Sequence, residues 1–160
     1  MKISGREILV LWAGRHQRRP WEELCESYRE RIVRHVPVRD QMLKCRGDGA
    51  KRRRSEGEAF LDALPDPCWT IVLDPRGRTR TSPQLASHLA ELRDTWPHPI
   101  AFVIGSDLGL DERVISAARE RLSLGPMVLG HELARLVLYE QIYRSIAIER
   151  GIKYHRPPLR

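Results

Sequence analysis

Two apolar periodicities follow one another along the chain, and they predict strands and helices in alternation. Short apolar or alternating runs, typical of strands, are "EILVLWAG" (7–14), "VPVRDQML" (36–43), "CWTIVLD" (68–74), "IAFVIGS" (100–106) and "LSLGPMVLG" (122–130). Segments with helical spacing lie between them. This order predicts an α/β fold with a parallel sheet and helices on both faces, in a single domain over residues 1–160.

Boundary signals refine these elements. Pro37 predicts that the second strand lies at a sheet edge, because proline cannot donate to a ladder. Ser82 followed by Pro83 predicts a helix start with serine as N-cap, and Asp111 is expected to cap a helix that runs to about Arg121. The first helix is predicted to bury one face formed by Trp21, Leu24, Cys25, Tyr28 and Ile32. Residues 44–54, "KCRGDGAKRRR", are predicted as a basic loop, and residues 55–64 as a helix that Pro65 ends.

The last helix is predicted over His131 to Arg150, with Gly151 ending it. It carries apolar residues on two sides. One stripe comprises Leu133, Leu136, Val137, Tyr143, Ala147 and Ile148, and the other comprises Leu138, Tyr139, Ile142 and Ile146. One side can face the sheet and the other needs a partner, so we expect a homodimer built around a two-fold axis.

Charge adds a candidate partner. The net charge is +7, and 24 of the 28 basic residues are arginine. The guanidinium group is a planar donor fork suited to phosphate and base edges, so nucleic acid is a hypothesis. A merely solvated basic face is an equally acceptable interpretation of charge alone. The densest run is Lys51, Arg52, Arg53 and Arg54, which we expect to contact RNA phosphates.

Cysteine usage and hydropathy suggest the compartment. The three cysteines show no CxxC or zinc spacing, and we expect reduced thiols and no metal site. No apolar run is long enough to span a bilayer, and Met1 to Glu7 lacks the apolar segment of a secretory signal. A cytoplasmic protein without membrane contact is therefore expected.

Candidate chemistry collects at the ends of strands. In open parallel sheets ligands bind beyond the carboxyl ends of the strands. Three loops follow such ends, at residues 73–77, 105–109 and 125–130, and glycine in them lets a flat ligand approach the backbone. No GxGxxG follows the first strand, and the chain contains no GxxxxGK[ST], HExxH, GxSxG or EF-hand pattern. The absence of these motifs argues against binding of dinucleotides, triphosphates or calcium through them, and against metalloprotease or hydrolase activity of those types.

Two histidines stand apart from the others by position. His131 begins the last helix, beside the third glycine loop, and His155 follows that helix in the terminal sequence "GIKYHRPPLR". Tyrosine, histidine and arginine together offer stacking, proton transfer and a bidentate fork. From these residues alone, the segment is either a disordered tail with incidental charge or part of a working site.

The motifs in this order resemble the RlmH family of SPOUT-class methyltransferases. The matching pieces are "IVLD" (71–74), "SPQLA" (82–86), "FVIGSDLGL" (102–110), "LSLGPMVLGHELARLVLYEQIYRS" (122–145) and "YHR" (154–156). The first half of the chain matches more loosely. The resemblance implies a SPOUT fold with a C-terminal trefoil knot, a homodimer, and S-adenosylmethionine as the methyl donor. It also implies methylation at N3 of a pseudouridine in 23S ribosomal RNA, within the ribosome or its large subunit.

The resemblance also implies residue roles. The cofactor would be held by Leu73, Gly105, Ser106, Gly125, Pro126, Met127, Val128, Leu129 and Gly130. His131, Arg135 and Arg144 would border the site, Arg135 being assigned with the RNA-binding residues, and Tyr154, His155 and Arg156 would face the RNA. We expect His155 or His131 to assist the loss of a proton while Arg144, Arg156 and Tyr154 position the RNA.

Two departures and two rival functions remain at this point. The family commonly has glycine where Ser106 stands and proline where Gly130 stands. Ser106 is expected to narrow the pocket slightly or add a hydroxyl contact, and Gly130 to loosen the loop. The rivals are another SPOUT-class enzyme that acts on transfer RNA, and a non-catalytic RNA-binding module that has lost the cofactor.

Overall fold

Strands and helices alternate through the whole of the described structure. The protein is represented by a computed structural model that describes residues 6–14 and 19–157. Two segments for which predictions were made lie partly outside the described residues. They are Met1 to Gly5, from the segment predicted not to be a secretory signal, and Pro158 to Arg160, from the terminal segment. The strands are β1 (Ile8–Ala13), β2 (Val38–Leu43), β3 (Trp69–Thr79), β4 (Ile100–Ile104) and β5 (Glu120–Ser123). The helices are α1 (Arg19–Ile32), α2 (Gly49–Ala63), α3 (Ser82–Thr95), α4 (Glu112–Ala117) and α5 (His131–Arg150).

The five strands form one sheet in the order β2-β1-β4-β3-β5, and every neighbouring pair is parallel. The core on one face joins the sheet to α1, α3 and α5. The core on the other face joins it to α2 and α4. The predicted parallel sheet with helices on both faces is confirmed, and so is the edge position of β2. No helix among the described residues combines the length and apolarity that crossing a membrane requires.

The basic run was wrongly predicted as a loop, because α2 begins at Gly49 and includes it. Arg52, Glu56 and Phe60 recur every four residues and form the buried face of this helix. Two of these three residues are charged, so an apolar periodicity cannot reveal the face. The helix thus presents Lys51, Arg53 and Arg54 to solvent and turns Arg52 inward.

Several boundaries also differ from the predictions. Thr81, not Ser82, is the N-cap of α3, and it forms a capping box with Gln84. β3 continues through the segment predicted as a loop after Leu73, with an irregularity in its pairing with β5 between Leu73 and Arg78. α4 ends at Ala117, so that β5 can begin at Glu120. Asp111 caps α4 as predicted, by accepting a hydrogen bond from the backbone N–H of Arg113.

The last helix follows its predicted bounds, and Gly151 ends it in the left-handed conformation at φ 66°. The stripe that contains Leu138 and Ile142 is buried in the core. Most of the other stripe stays half-exposed, and Leu133 is 38% exposed. On α1, Leu24 is 49% exposed, so the prediction that it is buried with Cys25 is wrong within one chain. Apolar surface therefore remains on both helices.

A buried charge cluster joins α1, α5 and the edge strand. Asp40 of β2, which lies deep in the structure, accepts hydrogen bonds from Trp12 Nε1 at 2.9 Å, Tyr139 Oη at 2.5 Å and Arg135 Nε at 3.0 Å. Arg135, which is 2% exposed, also donates to Glu22 Oε2 at 2.9 Å. Burial raises the pKa of Tyr139, and the charge of Asp40 raises it further, so this hydroxyl stays a donor. Burial favours a higher pKa for Glu22, but the hydrogen bonds and charges of the neighbouring arginines outweigh it and lower the pKa.

Replacing the central acceptor should destabilise the protein strongly. Asp40→Ala leaves Arg135 buried without one of its two counter-charges, and breaking a buried ion pair in this way typically costs about 3–5 kcal/mol. Denaturant unfolding at a fixed protein concentration measures the change. The control is Asp62→Ala, at an exposed position of α2, where a change within about 0.5 kcal/mol is expected. A loss in Asp40→Ala no larger than in this control would contradict the structural role of the cluster.

Candidate active site

A cavity of about 670 Å³ opens at the carboxyl ends of β3, β4 and β5. All strands are parallel, so their carboxyl ends lie at one edge of the sheet, where ligands bind in such folds. Apolar side chains and glycine backbone make up most of its wall, which suits a drug-sized ligand with a flat ring. Of the nine predicted cofactor residues, eight line it: Leu73, Gly105, Ser106, Gly125, Met127, Val128, Leu129 and Gly130. Pro126 does not, while His131 stands at the same cavity.

The loop after β4 makes a tight turn at the cavity wall. A Cβ on Gly105 would lie 2.9 Å from the carbonyl carbon of Gly109, so a side chain there would push the turn apart. Gly109 itself has φ 75°, a conformation that disfavours side chains. Ser106 and Gly109 pair through an isolated bridge. The two glycines therefore shape this part of the wall.

Ser106 connects the cofactor loop to helix α2. Its hydroxyl donates to Glu56 Oε2 at 2.8 Å and accepts from the backbone N–H of Leu108 at 3.3 Å. Glu56 Oε1 lies 3.3 Å from Arg52 Nε, and Arg52 also pairs with Asp107 of the same loop. The hydroxyl contact that was expected from the departure at Ser106 is therefore made with a buried carboxylate.

The loop after β5 forms the opposite side of the cavity. Ser123 Oγ donates to the carbonyl of Gly125 at 2.9 Å and accepts from its N–H at 3.1 Å, and Gly125 has φ 137°. Met127 and Val128 are 76% and 86% exposed at the tip of the loop. Gly130 ends the loop at φ −56° and ψ 144°, in open space. Hydrogen bonds between Ser123 and Gly125 therefore hold the start of the loop in place, and the tip of the loop is apolar.

The third strand places an acid at the cavity. Asp74 is buried and accepts hydrogen bonds from the backbone N–H of Arg76 at 2.9 Å and from its Nε at 3.2 Å. Burial favours a higher pKa for Asp74, but these hydrogen bonds and the Arg76 charge outweigh it and lower the pKa. Asp74 therefore stays ionised, and the exposed Arg76 is held at the rim.

The terminal Tyr-His-Arg segment packs on the carboxyl half of α5. Tyr154 Oη donates to Glu140 Oε1 at 3.0 Å, and the Arg144 guanidinium lies 4.8 Å from the centre of the Tyr154 ring. His155 Nδ1 lies 3.3 Å from Arg144 Nη1. Burial raises the pKa of Tyr154, as do its hydrogen bonds with Tyr28 and Glu140. Tyr154, His155 and Arg144 thus form one cluster, while Arg156 is exposed beside it.

The structure does not bring His131 to this cluster within one chain. His131 and Arg144 are separated by 13 residues of α5, which corresponds to about 20 Å along the helix axis. The His131 ring instead lies near the end of β1, since a Cβ on Gly14 would be 3.6 Å from its Nε2. The predicted catalytic residues therefore occupy two separate places.

Two of the predicted RNA-binding residues are interior, which corrects the expectation that they face RNA. Arg52 is 4% exposed and paired with Glu56 and Asp107, and Arg135 is held by Asp40 and Glu22. A guanidinium that is buried and ion-paired inside the fold is not available to a phosphate. Lys51, Arg53 and Arg54 are exposed, and Arg53 reaches the rim of the cavity.

Sequence reasoning missed Glu56, the acid that pairs with Arg52 and accepts a hydrogen bond from Ser106. Glu56 could have been found as the residue four positions after Arg52, the spacing of a helical ion pair. Glu140 was visible at the same spacing before Arg144, but its bond to Tyr154 depends on how the chain folds back. No three acidic, histidine or cysteine side chains form a metal-binding group within residues 6–14 and 19–157.

Comparisons with known proteins agree with this fold. The family model described as "Predicted SPOUT methyltransferase" matches residues 7–155. A protein named Ribosomal RNA large subunit methyltransferase H from Nitratidesulfovibrio vulgaris (strain DP4) is 35% identical over 153 residues, covering 94% of this chain and 98% of the relative. A protein with the same name from Gluconacetobacter diazotrophicus is 38% identical over 150 residues, covering 92% and 95%. A solved methylase family protein from Haemophilus influenzae aligns with a TM-score of 0.52 at 12% identity, covering 96% of this chain and 71% of that one.

The chain has a parallel sheet with a glycine-lined cavity at its carboxyl edge, and the family model matches nearly the whole chain. Together these findings define the class of protein. The chain belongs to the SPOUT methyltransferases. Within that family, its full-length relatives place it in the RlmH group.

The tight turn at Gly105 gives a direct test of the cavity as a cofactor site. Gly105→Ala should weaken the binding of S-adenosylmethionine by about 10- to 100-fold, because overpacking at a 2.9 Å approach costs about 1–3 kcal/mol. Titration calorimetry measures this affinity. Gly130→Ala is the matched control, since its Cβ would meet no atom within 4 Å, and it should bind within about twofold of the wild type. Equal affinity in both variants would remove this cavity as the site.

Proposed function

We propose that this protein is an S-adenosylmethionine-dependent methyltransferase that methylates N3 of a pseudouridine in 23S ribosomal RNA. The observation that carries the proposal is the cavity, which gathers eight of the nine residues predicted to hold the cofactor. The names of the full-length relatives, ribosomal RNA large subunit methyltransferases, support the substrate.

The donor set of the cavity fits S-adenosylmethionine. Leu73, Leu122 and Leu124 offer apolar walls for an adenine ring, and the glycine loops offer backbone N–H and C=O groups to its edge. Asp74 adds an ionised carboxylate beside them, which can accept hydrogen bonds from hydroxyl groups. When bound, S-adenosylmethionine supplies an electrophilic methyl carbon on a positively charged sulfur. The trefoil knot that the resemblance implies would consist of these same loops, and it stays a prediction.

The protein must orient the base and remove a proton. Methyl transfer requires the nucleophilic nitrogen about 3 Å from the methyl carbon and in line with it. N3–H is a weak acid, so its proton has to leave. His131, at the cavity wall, and His155, next to Arg144, are the histidines positioned to accept it or to guide it to solvent. Arg144 and Arg156 would stabilise the negative charge that develops on the ring.

The separation along α5 supports a homodimer with composite sites. A single chain holds its cofactor cavity and its Tyr-His-Arg segment at opposite ends of a helix, farther apart than one base can reach. A two-fold axis that sets two α5 helices antiparallel would bring the terminal segment of one chain to the cavity of the other. The half-exposed stripe of α5 and the exposed Leu24 supply apolar surface for such a contact. The expected dimer has a mass of about 37 kDa, twice the 18.6 kDa of the chain.

The RNA would approach across the outer side of α2 and the rim of the cavity. Lys51, Arg53 and Arg54 are exposed on α2, and Arg53 and Arg76 both line the rim. Phosphate contacts by such side chains position the RNA without reading its sequence. Arg52 and Arg135 have no part in this surface, because they hold the interior together.

The function is tested by methyl transfer itself. The protein is incubated with methyl-labelled S-adenosylmethionine and with 70S ribosomes, 50S subunits or naked ribosomal RNA from a strain that lacks the modification. We expect label in 23S ribosomal RNA, which mass spectrometry locates at N3 of a pseudouridine. Label only in transfer RNA would indicate the alternative SPOUT-class substrate. Failure to bind S-adenosylmethionine even at millimolar concentration would indicate an RNA-binding module.

The terminal segment is tested by truncation. Deleting Tyr154 to Arg160 should leave cofactor affinity nearly unchanged, because none of the described residues of this segment, Tyr154 to Pro157, lines the cavity. Methylation should fall by about 100-fold or more, since groups that assist proton transfer typically contribute 10²- to 10⁴-fold. The control deletion, Pro157 to Arg160, should cost far less.

Mixing two impaired proteins tests the composite site, at an S-adenosylmethionine concentration that saturates the wild type and leaves Gly105→Ala largely unbound. In a mixed dimer, the chain with the Tyr154–Arg160 deletion keeps its cavity intact. The chain with Gly105→Ala keeps its terminal segment intact, and the two together form one complete site. Random pairing of equal amounts would then restore about a quarter of the wild-type rate per chain, since half the dimers are mixed and each has one complete site. A mixture that stays inactive although mixed dimers form would show that each site is built by one chain.

A further inference from the structure

A second cavity, of about 600 Å³, lies beside the cofactor cavity and has no role in the function proposed so far. The two cavities share the wall formed by Ser106, Asp107, Gly130 and His131. The second cavity is completed by Gly14, Trp21, Cys45, Arg52, Glu56, Glu132 and Leu133. It therefore opens over the carboxyl ends of β1 and β2, next to the place where the methyl donor would bind.

The charges of this second cavity indicate what it can hold. Among the described residues of this lining are three carboxylates, from Glu56, Asp107 and Glu132, and one guanidinium, that of Arg52, which pairs with Glu56 and Asp107. The described lining is therefore net negative, which disfavours an anionic phosphate of the RNA backbone. An uncharged ring with N–H groups is suited to it, because carboxylates accept hydrogen bonds from such groups.

One aromatic face is available in the lining. Trp21, near the start of α1, lines the second cavity and is half-buried. The other three tryptophans have structural contacts instead. Trp12 is buried and donates to Asp40, while Trp69 and Trp96 pack edge to face with ring centres 5.5 Å apart. An indole at the edge of a cavity is the kind of surface on which proteins stack an unstacked RNA base.

We propose that the second cavity receives the target pyrimidine ring after it leaves the RNA stack, and that Trp21 is the residue on which this ring stacks. This inference rests on the proposed function, and it adds the place and the holding residue of the substrate base. The shared wall sets the ring beside the cofactor cavity, and His131 in that wall lies where a proton from the ring nitrogen would be released. Pseudouridine has two ring N–H groups where uridine has one, so when N3 faces the methyl donor the second N–H can donate to a carboxylate oxygen of the lining.

Stacking accounts for a measurable part of substrate binding. Replacing an aromatic side chain that stacks on a base by alanine typically weakens binding by about 10- to 100-fold. Trp21→Ala should therefore lower kcat/KM for 50S subunits, or for whichever ribosomal substrate the wild type methylates, by about that factor. Trp21→Phe keeps an aromatic face and should retain activity within about fivefold of the wild type.

The experiment compares these variants with Val33→Ala, an apolar truncation at the exposed residue that directly follows the same helix and lines neither cavity. For each protein we would measure the dissociation constant of S-adenosylmethionine, the mass in solution, and kcat and KM for the unmodified ribosomal substrate. We expect the cofactor affinity and the mass of Trp21→Ala to match the wild type, with the loss confined to the RNA substrate. Val33→Ala should methylate at the wild-type rate.

Each other outcome separates this inference from the proposed function. A wild-type protein that methylates ribosomal RNA, with Trp21→Ala equally efficient, would overturn the stacking role and leave the function intact. Parallel losses of cofactor affinity and activity would assign Trp21 to the cofactor cavity instead, and a monomeric Trp21→Ala would assign it to a subunit contact. A wild type that methylates no RNA would overturn the proposed function, and the assignment of the second cavity with it.

Discussion

The ion pair between Asp40 and Arg135 is the constraint on which the site depends. It joins the edge strand β2 to the first turns of α5, and Glu22 extends it to α1. A buried ion pair is stable only when its remaining donors and acceptors are also satisfied, and here Trp12 and Tyr139 supply those hydrogen bonds. His131 lies one turn before Arg135. The cluster therefore fixes where the helix begins and, with it, the wall between the two cavities.

α5 begins at this cluster and separates two groups of candidate site residues. Its amino-terminal end meets the glycine loops, whereas its carboxyl half holds the terminal segment through Glu140 and Arg144. The length of the helix separates the groups that would bind the methyl donor from those that would handle the RNA. The proposed homodimer would solve this separation without lengthening either chain, and each protomer would then need the other for a complete site.

The features that could be predicted from the sequence are those that follow from apolar periodicity and from glycine, proline and capping residues at the ends of strands and helices. The parallel sheet, the bounds of α5 and the left-handed Gly151 are confirmed, and the positions of the glycine loops agree with the cavity. The inward turn of Arg52 could not be predicted from apolar spacing, because the buried face of α2 includes Arg52 and Glu56, which form an ion pair with each other. The packing of Tyr154 against Glu140 depends on tertiary contacts across 14 residues, which no local pattern encodes. Trp21 followed the helical period of a core residue, and only its position beside a cavity suggests another use.

Gly130 stands where the RlmH family commonly has proline, yet its backbone has the dihedral angles of a polyproline segment, φ −56° and ψ 144°. Proline would adopt these same angles at this position. The shape of the loop is thus independent of which of the two residues occupies it. What differs is the freedom of the chain before it folds, because glycine samples far more conformations than proline. The cost of this departure consequently falls on the unfolded ensemble, at about 0.4–1 kcal/mol for such exchanges, while the folded cavity keeps its form.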